Sequence, residues 1–412
     1  MVGVICGEYA NGSSAVRSRM RTITFLSSNE YVPWGGSEYC WSRTAERFAQ
    51  QGTEVRVSVM DWGSPVNQVK HLCSAGCRIF LRPRRTLPER LKRRFVFRNR
   101  YEWHHMKQIG AGADLVVVSQ GGNTDGFPWM EAAKSLGYRY ATIAEGVPDS
   151  WPGDDLRERF AGAYESAEAA FFVSHANLAM TRRQMGTALL KGRVLRNPFN
   201  VRYDVRLPWP GDPMEWLSLA YIARLEAGGK KQDLICEVLA LPHWRKRSVS
   251  VSFVGNGPNE GGLRELLSML NVSNVHFSGA VDDIEGVWAR HHAQVFSSRN
   301  EGMPLSIVEA MLCGRVCIAT DVGGNRELIR DGVNGFLAKA ATVELLDEAM
   351  ERAWENRHRL REMGETAARD VREWVGPDPT GDFVRELETL VDGERDSCLR
   401  QASFVQERVS LR

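Results

Sequence analysis

Glu301 and Glu309 bracket a proline and a run of apolar residues in the segment RNEGMPLSIVEAMLCGRVCIATDVGGNRELIRDGVNGFL, Arg299 to Leu337. Pro304 suits the first turn of a helix, where a missing N–H costs nothing, so a helix is expected to start there. Leu305, Ile307, Val308, Met311 and Leu312 fill one arc of that helix, and Gly314 stands where a C-terminal stop belongs. Glu301 and Gly302 fall in the preceding loop, and Glu309 falls at the edge of the apolar arc, roughly 7–8 Å along the axis from Pro304. The N–H groups and dipole of a helix start attract anions, while flanking carboxylates accept hydrogen bonds from hydroxyls. A sugar diphosphate offers both kinds of group. The strand VCIAT follows, with Asp321-Val322-Gly323-Gly324 at its C-terminal end, the edge where open α/β sheets bind ligands. Spacing alone fits a surface glutamate pair on an ordinary βα unit equally well.

A second charged constellation lies upstream. WLSLAYIARLEAGGKKQDLICEVLAL reads as a strand, a glycine-rich turn and a helix. Arg224 stands at the strand's C-terminal end and Lys230 just before the helix. Two cations converging on a helix start suit a pyrophosphate, with Lys231 a neighbouring competitor for the role.

EGMPLSIVEAMLCG followed by ATDVGGNRELIRDGVNGFL resembles the E-x7-E motif and downstream segment of glycosyltransferase family four, the retaining nucleotide-sugar-dependent enzymes of GT-B fold. The resemblance implies an α/β chain with two Rossmann-like domains facing each other across a cleft. It implies transfer of a hexose from a UDP- or GDP-sugar to a glycan or lipid-linked acceptor, without a metal. Arg224 and Lys230 would then neutralise the donor diphosphate, Glu301 would orient donor-sugar hydroxyls, and Glu309 would accept from the ribose. Gly302, Met303, Pro304 and Leu305 would complete the donor site. Gly35 and Gly36, in GGSE after the first strand, would face the donor phosphates and the acceptor, with Ser37 as a plausible helix cap. The loop Gly279 to Val281 would border the nucleobase, and RVLRNPF matches in position the family's Asn-Gly loop.

One departure stands out. Many relatives carry a histidine in the loops after DLVVVSQ and YATIAEG, where this chain has Gln120, Asn123, Asp125 and Glu145. Asn123 and Glu145 are therefore candidates for holding the acceptor or donor sugar. A nucleotide-sugar epimerase or hydrolase on the same fold is an alternative reading, and a non-catalytic sugar-nucleotide or glycan-binding subunit is another. The histidine-poor loops argue against the epimerase, which needs ionisable groups beside the sugar.

These residues need elements to position them. A chain of 412 residues implies two domains, since single cores rarely exceed about 250–300 residues. From Met20, itself a candidate start after a 19-residue leader, strand-like and helix-like segments alternate, as in α/β sheets with crossover helices. The expected division is an N-terminal domain over 20–199, a linker over 200–215 marked by Pro208, Pro210, Gly211 and Pro213, and a C-terminal domain over 216–376. A helix and tail over 377–412 would follow, with a possible return to the N-terminal domain.

Composition narrows the partners. A formal charge of +2 gives no global pull on nucleic acid. Eight cysteines without framework spacing do not make a disulfide scaffold, and His291 and His292, adjacent on an expected helix, are poor joint metal ligands. No apolar run approaches the roughly 18 residues a membrane-spanning helix requires, which suggests a cytoplasmic protein. Residues 78–107 hold eleven Lys and Arg interleaved with Leu91, Phe95, Val96 and Phe97. Such a segment can rest peripherally on an anionic inner-membrane surface, at about 1 kcal/mol per cation, bind an acidic acceptor, or be a solvated charged helix.

Overall fold

The computed structural model describes residues 20–64, 66–84 and 100–393, with the backbone of a short strand at Val4–Ile5 (β1). Most of the expected leader, the core of the basic run at 85–99 and the terminal residues 394–412 lie outside the described residues. The chain divides into two compact units. The first comprises Met1–Val173, Leu178–Asn197 and Asp378–Arg412, and the second Ser174–Asn177 and Pro198–Pro377.

In the first unit Thr22–Ser27 (β2), Glu54–Met60 (β3), Arg78–Arg82 (β4), Leu115–Gln120 (β5), Tyr140–Ala144 (β6), Ala169–Phe172 (β7) and Gly192–Val194 (β8) form one sheet, ordered β1-β4-β3-β2-β5-β6-β7-β8. All its pairings are parallel except that of β1 with β4. Runs such as LVVVSQ are buried at every position, because helices on both faces leave a parallel strand no solvent side. Helix Tyr39–Gln50 buries Cys40, Trp41, Thr44, Ala45 and Phe48, the spacing of one helical face.

The second unit repeats the plan. Leu217–Ile222 (β9), Val249–Val254 (β10), Val275–Gly279 (β11), Ala293–Phe296 (β12), Val316–Thr320 (β13) and Gly335–Ala338 (β14) are all parallel, in the order β11-β10-β9-β12-β13-β14. Both sheets therefore reverse their winding beside their first long strand, between β2 and β5 in one and between β9 and β12 in the other. The expected α/β chain of two Rossmann-like domains is what the structure contains.

Three expectations need adjusting. The segment 200–215 packs as part of the second unit, with Val201 and Val205 buried and the Tyr203 hydroxyl donating to the Arg372 carbonyl at 3.0 Å. Its prolines mark an extended path over a surface rather than a free tether. Residues 78–82 of the basic run form the buried strand β4, and Arg82 is 1% exposed, donating to the Ser58 carbonyl at 2.9 Å and to the Ser27 carbonyl. Arg82 is thus no surface cation. His291 and His292 follow helix Ile284–Trp288 rather than lying on it. Both are buried, with His291 Nε2 2.9 Å from Ser252 Oγ and His292 Nδ1 accepting from the Ser218 N–H at 3.1 Å.

The helix over 379–393 belongs to the first unit. Phe383, Leu387, Leu390 and Val391 face inward, and Phe383 meets Phe171 edge-on at 5.0 Å. Arg21 donates to both oxygens of Asp392 at 2.8 and 2.9 Å, and Arg193 pairs with Glu386 at 2.5 Å. Removing a buried ring leaves a cavity as well as lost transfer energy, so Phe383→Ala is expected to cost the first unit about 3–5 kcal/mol. Thr389→Ala, on the exposed face of the same helix, should stay within about 0.5 kcal/mol. Urea unfolding followed by circular dichroism separates the two.

Candidate active site

The reversal between β9 and β12 opens a crevice at their C-terminal ends, where adjacent loops depart in opposite directions. After β9 the chain runs through Arg224 to a short helix, Ala227–Lys230, capped by Glu226, whose carboxylate accepts from the Gly229 N–H at 3.0 Å. Lys231 then takes a left-handed conformation, φ 56°, which ends that helix and starts Gln232–Ala240. After β12 the loop 297–304 leads to helix Leu305–Leu312, with Pro304 at the N-cap and Gly314, φ 72°, just past its end. Every residue of this helix except Leu305 is buried, Ser306 and Glu309 included, so it is an interior helix rather than an amphipathic one.

The two loops are stitched together by backbone groups. Arg299 N–H donates to the Gly229 carbonyl at 2.8 Å, and Ser297 Oγ donates to the Lys231 carbonyl at 2.6 Å. The Tyr221 hydroxyl, from β9 itself, donates to the Lys230 carbonyl. With the backbones fixed, Lys230 Nζ reaches Glu301 Oε1 at 2.5 Å. Arg224, on the loop before the short helix, is half-exposed, and a carboxylate oxygen of Glu226 lies 4.0 Å from its guanidinium. Lys230 and Glu301 thus meet at the crevice, and Arg224 stands on the same loop as Lys230.

Gly302 and Met303 are held from the other side by the loop after β13. Gly324 N–H donates to the Gly302 carbonyl at 2.9 Å. Gly323 has φ 53°, and a Cβ there would lie 2.0 Å from the Glu301 carbonyl oxygen; one on Gly324 would lie 2.3 Å from Met303 Cε. The glycine pair is what lets these loops touch. Glu309 is 3% exposed, and its Oε1 accepts from Asn200 N at 2.9 Å and Asn200 Nδ2 at 2.7 Å. It is therefore engaged by Asn200 within the second unit.

The first unit has its own reversal, and polar groups collect there too. Gly35 precedes a 3-10 turn, Gly36–Glu38, and Ser37 caps nothing; its hydroxyl lies 3.3 Å from Glu38 Oε1, and the α-helix begins at Tyr39. Asn123, after β5, donates to Thr181 Oγ1 at 3.1 Å and Gln184 Oε1 at 2.7 Å. Glu145, after β6, accepts from Asn197 Nδ2 at 2.7 Å. Asn123 Oδ1, Glu145 Oε1 and Asn197 Oδ1 are buried with no hydrogen-bond partner among the described residues. Each such orphan costs about 1–3 kcal/mol unless water or another polar group satisfies it.

Sequence reasoning missed Glu38 and Asn197. Glu38 is 3% exposed and accepts from Trp41 Nε1 at 3.0 Å, and its carboxyl is raised above the usual range by burial. An acid early in a helix ordinarily reads as a dipole partner, so nothing in GGSE marks it as an inward group. Asn197 carried a weak signal, as the asparagine of RNPF.

Among the described residues one set of side chains lies within metal-ligating reach, His243, Asp347 and Glu351. Arg247 already holds Glu351 in a bidentate pair at 2.5 and 2.8 Å, putting a cation where a metal would compete with it, and none of the three belongs to either crevice.

Burial pushes the Glu145 carboxyl from 4.5 to about 8; the Asn197 amide works against that shift and the Glu38 carboxyl adds to it. Between those values the folded chain keeps a proton that the unfolded chain has lost, so stability falls as pH rises through the window. Glu145→Gln removes the titration. The variant should show a flatter fall in unfolding free energy between pH 5 and 8 than the wild type in parallel urea titrations, and identical slopes would refute a buried, protonated Glu145.

Residues 217–356 match the family model described as glycosyl transferases group 1. The chain is 33% identical over 122 residues to N-acetyl-alpha-D-glucosaminyl L-malate synthase of Bacillus anthracis, covering 29% of this chain and 32% of that protein. It is 30% identical over 105 residues to the N,N'-diacetylbacillosaminyl-diphospho-undecaprenol alpha-1,3-N-acetylgalactosaminyltransferase of Campylobacter jejuni, covering 26% and 28%. The matched stretch spans about a third of the length of these relatives. The Anabaena protein HepE, solved in complex with UDP, superposes with a TM-score of 0.69 at 17% identity, over 90% of this chain and all of that one. The chain thus has the GT-B fold, and within it residues 217–356 are similar to the group 1 glycosyl transferases.

Proposed function

We propose that this protein is a retaining glycosyltransferase that moves a hexose from a UDP- or GDP-sugar to a glycan or lipid-linked acceptor. The observation that carries the reading is the Lys230–Glu301 pair at the β9/β12 reversal, with the half-exposed Arg224 on the same loop as Lys230. Breaking the bond between the anomeric carbon and the diphosphate builds negative charge on the leaving group and positive charge on the sugar ring. Lys230 and Arg224 are the cations placed to stabilise the first, and preformed charges do so without reorganising. Without donor, the Lys230 ammonium rests on Glu301. An arriving diphosphate draws it away and leaves the Glu301 carboxylate to accept from sugar hydroxyls. Gly302 to Leu305 present the start of a buried helix to the same crevice.

Glu309 would contact the ribose through whatever acceptor capacity Asn200 leaves it. Asn123 and Glu145 would hold the acceptor, the protonated Glu145 donating where a carboxylate could only accept. Acceptor attack on the face the diphosphate leaves from, with a phosphate oxygen taking the hydroxyl proton, retains configuration and requires no glycosidase-style carboxylate pair. No step calls for a metal.

A panel of UDP- and GDP-sugars, screened by thermal shift and then for donor hydrolysis and transfer, tests the reading. Lys230→Ala is expected to lower turnover about 10²–10³-fold, the usual loss for one preorganised charge-stabilising group. Full turnover in that variant would sink the assignment. Donor-induced stabilisation of the wild type with neither hydrolysis nor transfer would mark a binding subunit instead.

A further inference from the structure

At the opposite end of helix Leu305–Leu312 from the proposed donor site, about 12 Å away along eight residues, the chain forms a second basic site. The segment 204–209, the turn Leu312–Arg315 and helix Leu360–Val375 enclose a groove of about 1410 Å³ including its open mouth. Its lining carries five arginines against two carboxylates, those of Asp204 and Glu365.

Among the described residues neither floor arginine has a carboxylate within ion-pair distance. Arg315, 3% exposed, donates to the carbonyls of Pro208 at 2.7 Å, Trp288 and His291 at 2.9 Å, and Cys313 at 3.1 Å. Arg372 donates to the carbonyls of Tyr203 and Ala368 at 2.8 Å, Leu312 at 3.0 Å and Val205 at 3.3 Å. Burial lowers the Arg315 guanidinium to about 10, and the Arg361 charge presses the same way. Elsewhere in this unit exposed arginines meet carboxylates closely, as Arg202 does Glu285 at 2.8 Å and Arg352 does Asp331 at 2.7 Å. On the groove's rim Arg206, Arg361 and Arg369 are exposed; Arg361 stays 3.7 Å from Glu365, and Arg369 donates to Thr366 Oγ1.

A purely structural role covers part of this. The Leu312 and Cys313 carbonyls end a helix, and a guanidinium there offsets about half an elementary charge of helix dipole. Two floor guanidiniums exceed that, and the three rim arginines add to the excess without serving any cap. A groove with a fixed positive floor, an exposed rim and five arginines against two carboxylates is built to receive negative charge.

We propose that this groove is an anion site for a phosphate- or diphosphate-bearing ligand, distinct from the proposed donor site. The rim arginines grip the phosphate oxygens, and Arg315 and Arg372 supply a field from beneath without moving. The site does not depend on the donor assignment.

The test uses the full chain carrying Arg224→Ala and Lys230→Ala, which removes both cations of the proposed donor site. Pyrophosphate is titrated calorimetrically at low salt into this protein and into the same chain with Arg361→Glu and Arg369→Glu added. Both added changes lie on an exposed helix face, and thermal unfolding checks that the chain still folds; Arg206→Glu serves as the second variant. The rim changes are expected to weaken binding at least 10-fold. Absence of binding in the parent, or equal affinity in parent and rim variants, overturns the proposal. Sedimentation with vesicles of phosphatidylglycerol and phosphatidylcholine, against phosphatidylcholine alone, identifies the source of the phosphate. Rim-dependent binding to the anionic vesicles assigns a lipid headgroup, and pyrophosphate binding without it assigns a soluble anion.

Discussion

Lys230 and Glu301 are 71 residues apart, yet their charged atoms lie 2.5 Å apart because β9 and β12 are adjacent strands whose crossovers leave in opposite directions. A parallel sheet wound outward from its middle leaves one gap between neighbouring loops. Here that gap is set by hydrogen bonds between main-chain carbonyls and groups of the facing loop, so the side chains inherit their separation instead of finding it. Glycine completes the arrangement, since Gly323 and Gly324 allow the loop after β13 to lie against Glu301 to Met303 at distances any Cβ would forbid. Replace those contacts with ordinary turns and the same residue types would be scattered surface charges.

The two reversals have opposite electrostatics. In the second unit cations dominate the crevice, and a carboxylate balances one of them. In the first, Glu38 and Glu145 are both buried and both raised in pKa, with amides and hydroxyls rather than lysines as their hydrogen-bond partners. That environment disfavours a diphosphate and suits neutral, hydroxyl-rich matter, because a protonated carboxyl can donate as well as accept. The proposed reaction asks for this split, a charged leaving group on one unit and an uncharged nucleophile on the other.

Much of this could be read from residues. Long apolar runs between glycine and asparagine turns gave the strands β2, β5, β9 and β13, and the turns after them put Lys230 and Glu301 on loops that meet. What escaped depends on tertiary partners. β4 reads as part of a basic surface run because Arg78 and Arg82 flank only three apolar residues, and nothing local says that Arg82 will find carbonyls to bind inside. Glu309 looks like the twin of Glu301, but helix Leu305–Leu312 is buried all round and Asn200 claims one of its oxygens. The prolines of 200–215 suggested a tether, whereas Val201 and Val205 anchor it to the second unit.

Arginine explains why a formal charge of +2 says so little about this chain. Arg82, Arg315 and Arg372 use the planar fork to collect carbonyl oxygens at the ends of strands and helices, a task lysine's single ammonium cannot perform. Neutral carbonyls stabilise such a cation without cancelling its field, whereas a carboxylate does both. Arg82 gathers the Ser27 and Ser58 carbonyls and lowers the Glu38 carboxyl against the effect of burial, so its charge is answered within the first unit. Arg315 and Arg372, among the described residues, gather carbonyls with no carboxylate within ion-pair distance, in a groove that Asp204 and Glu365 also line. Local charge in this protein therefore follows where backbone carbonyls need gathering, and the sum over the chain conceals it.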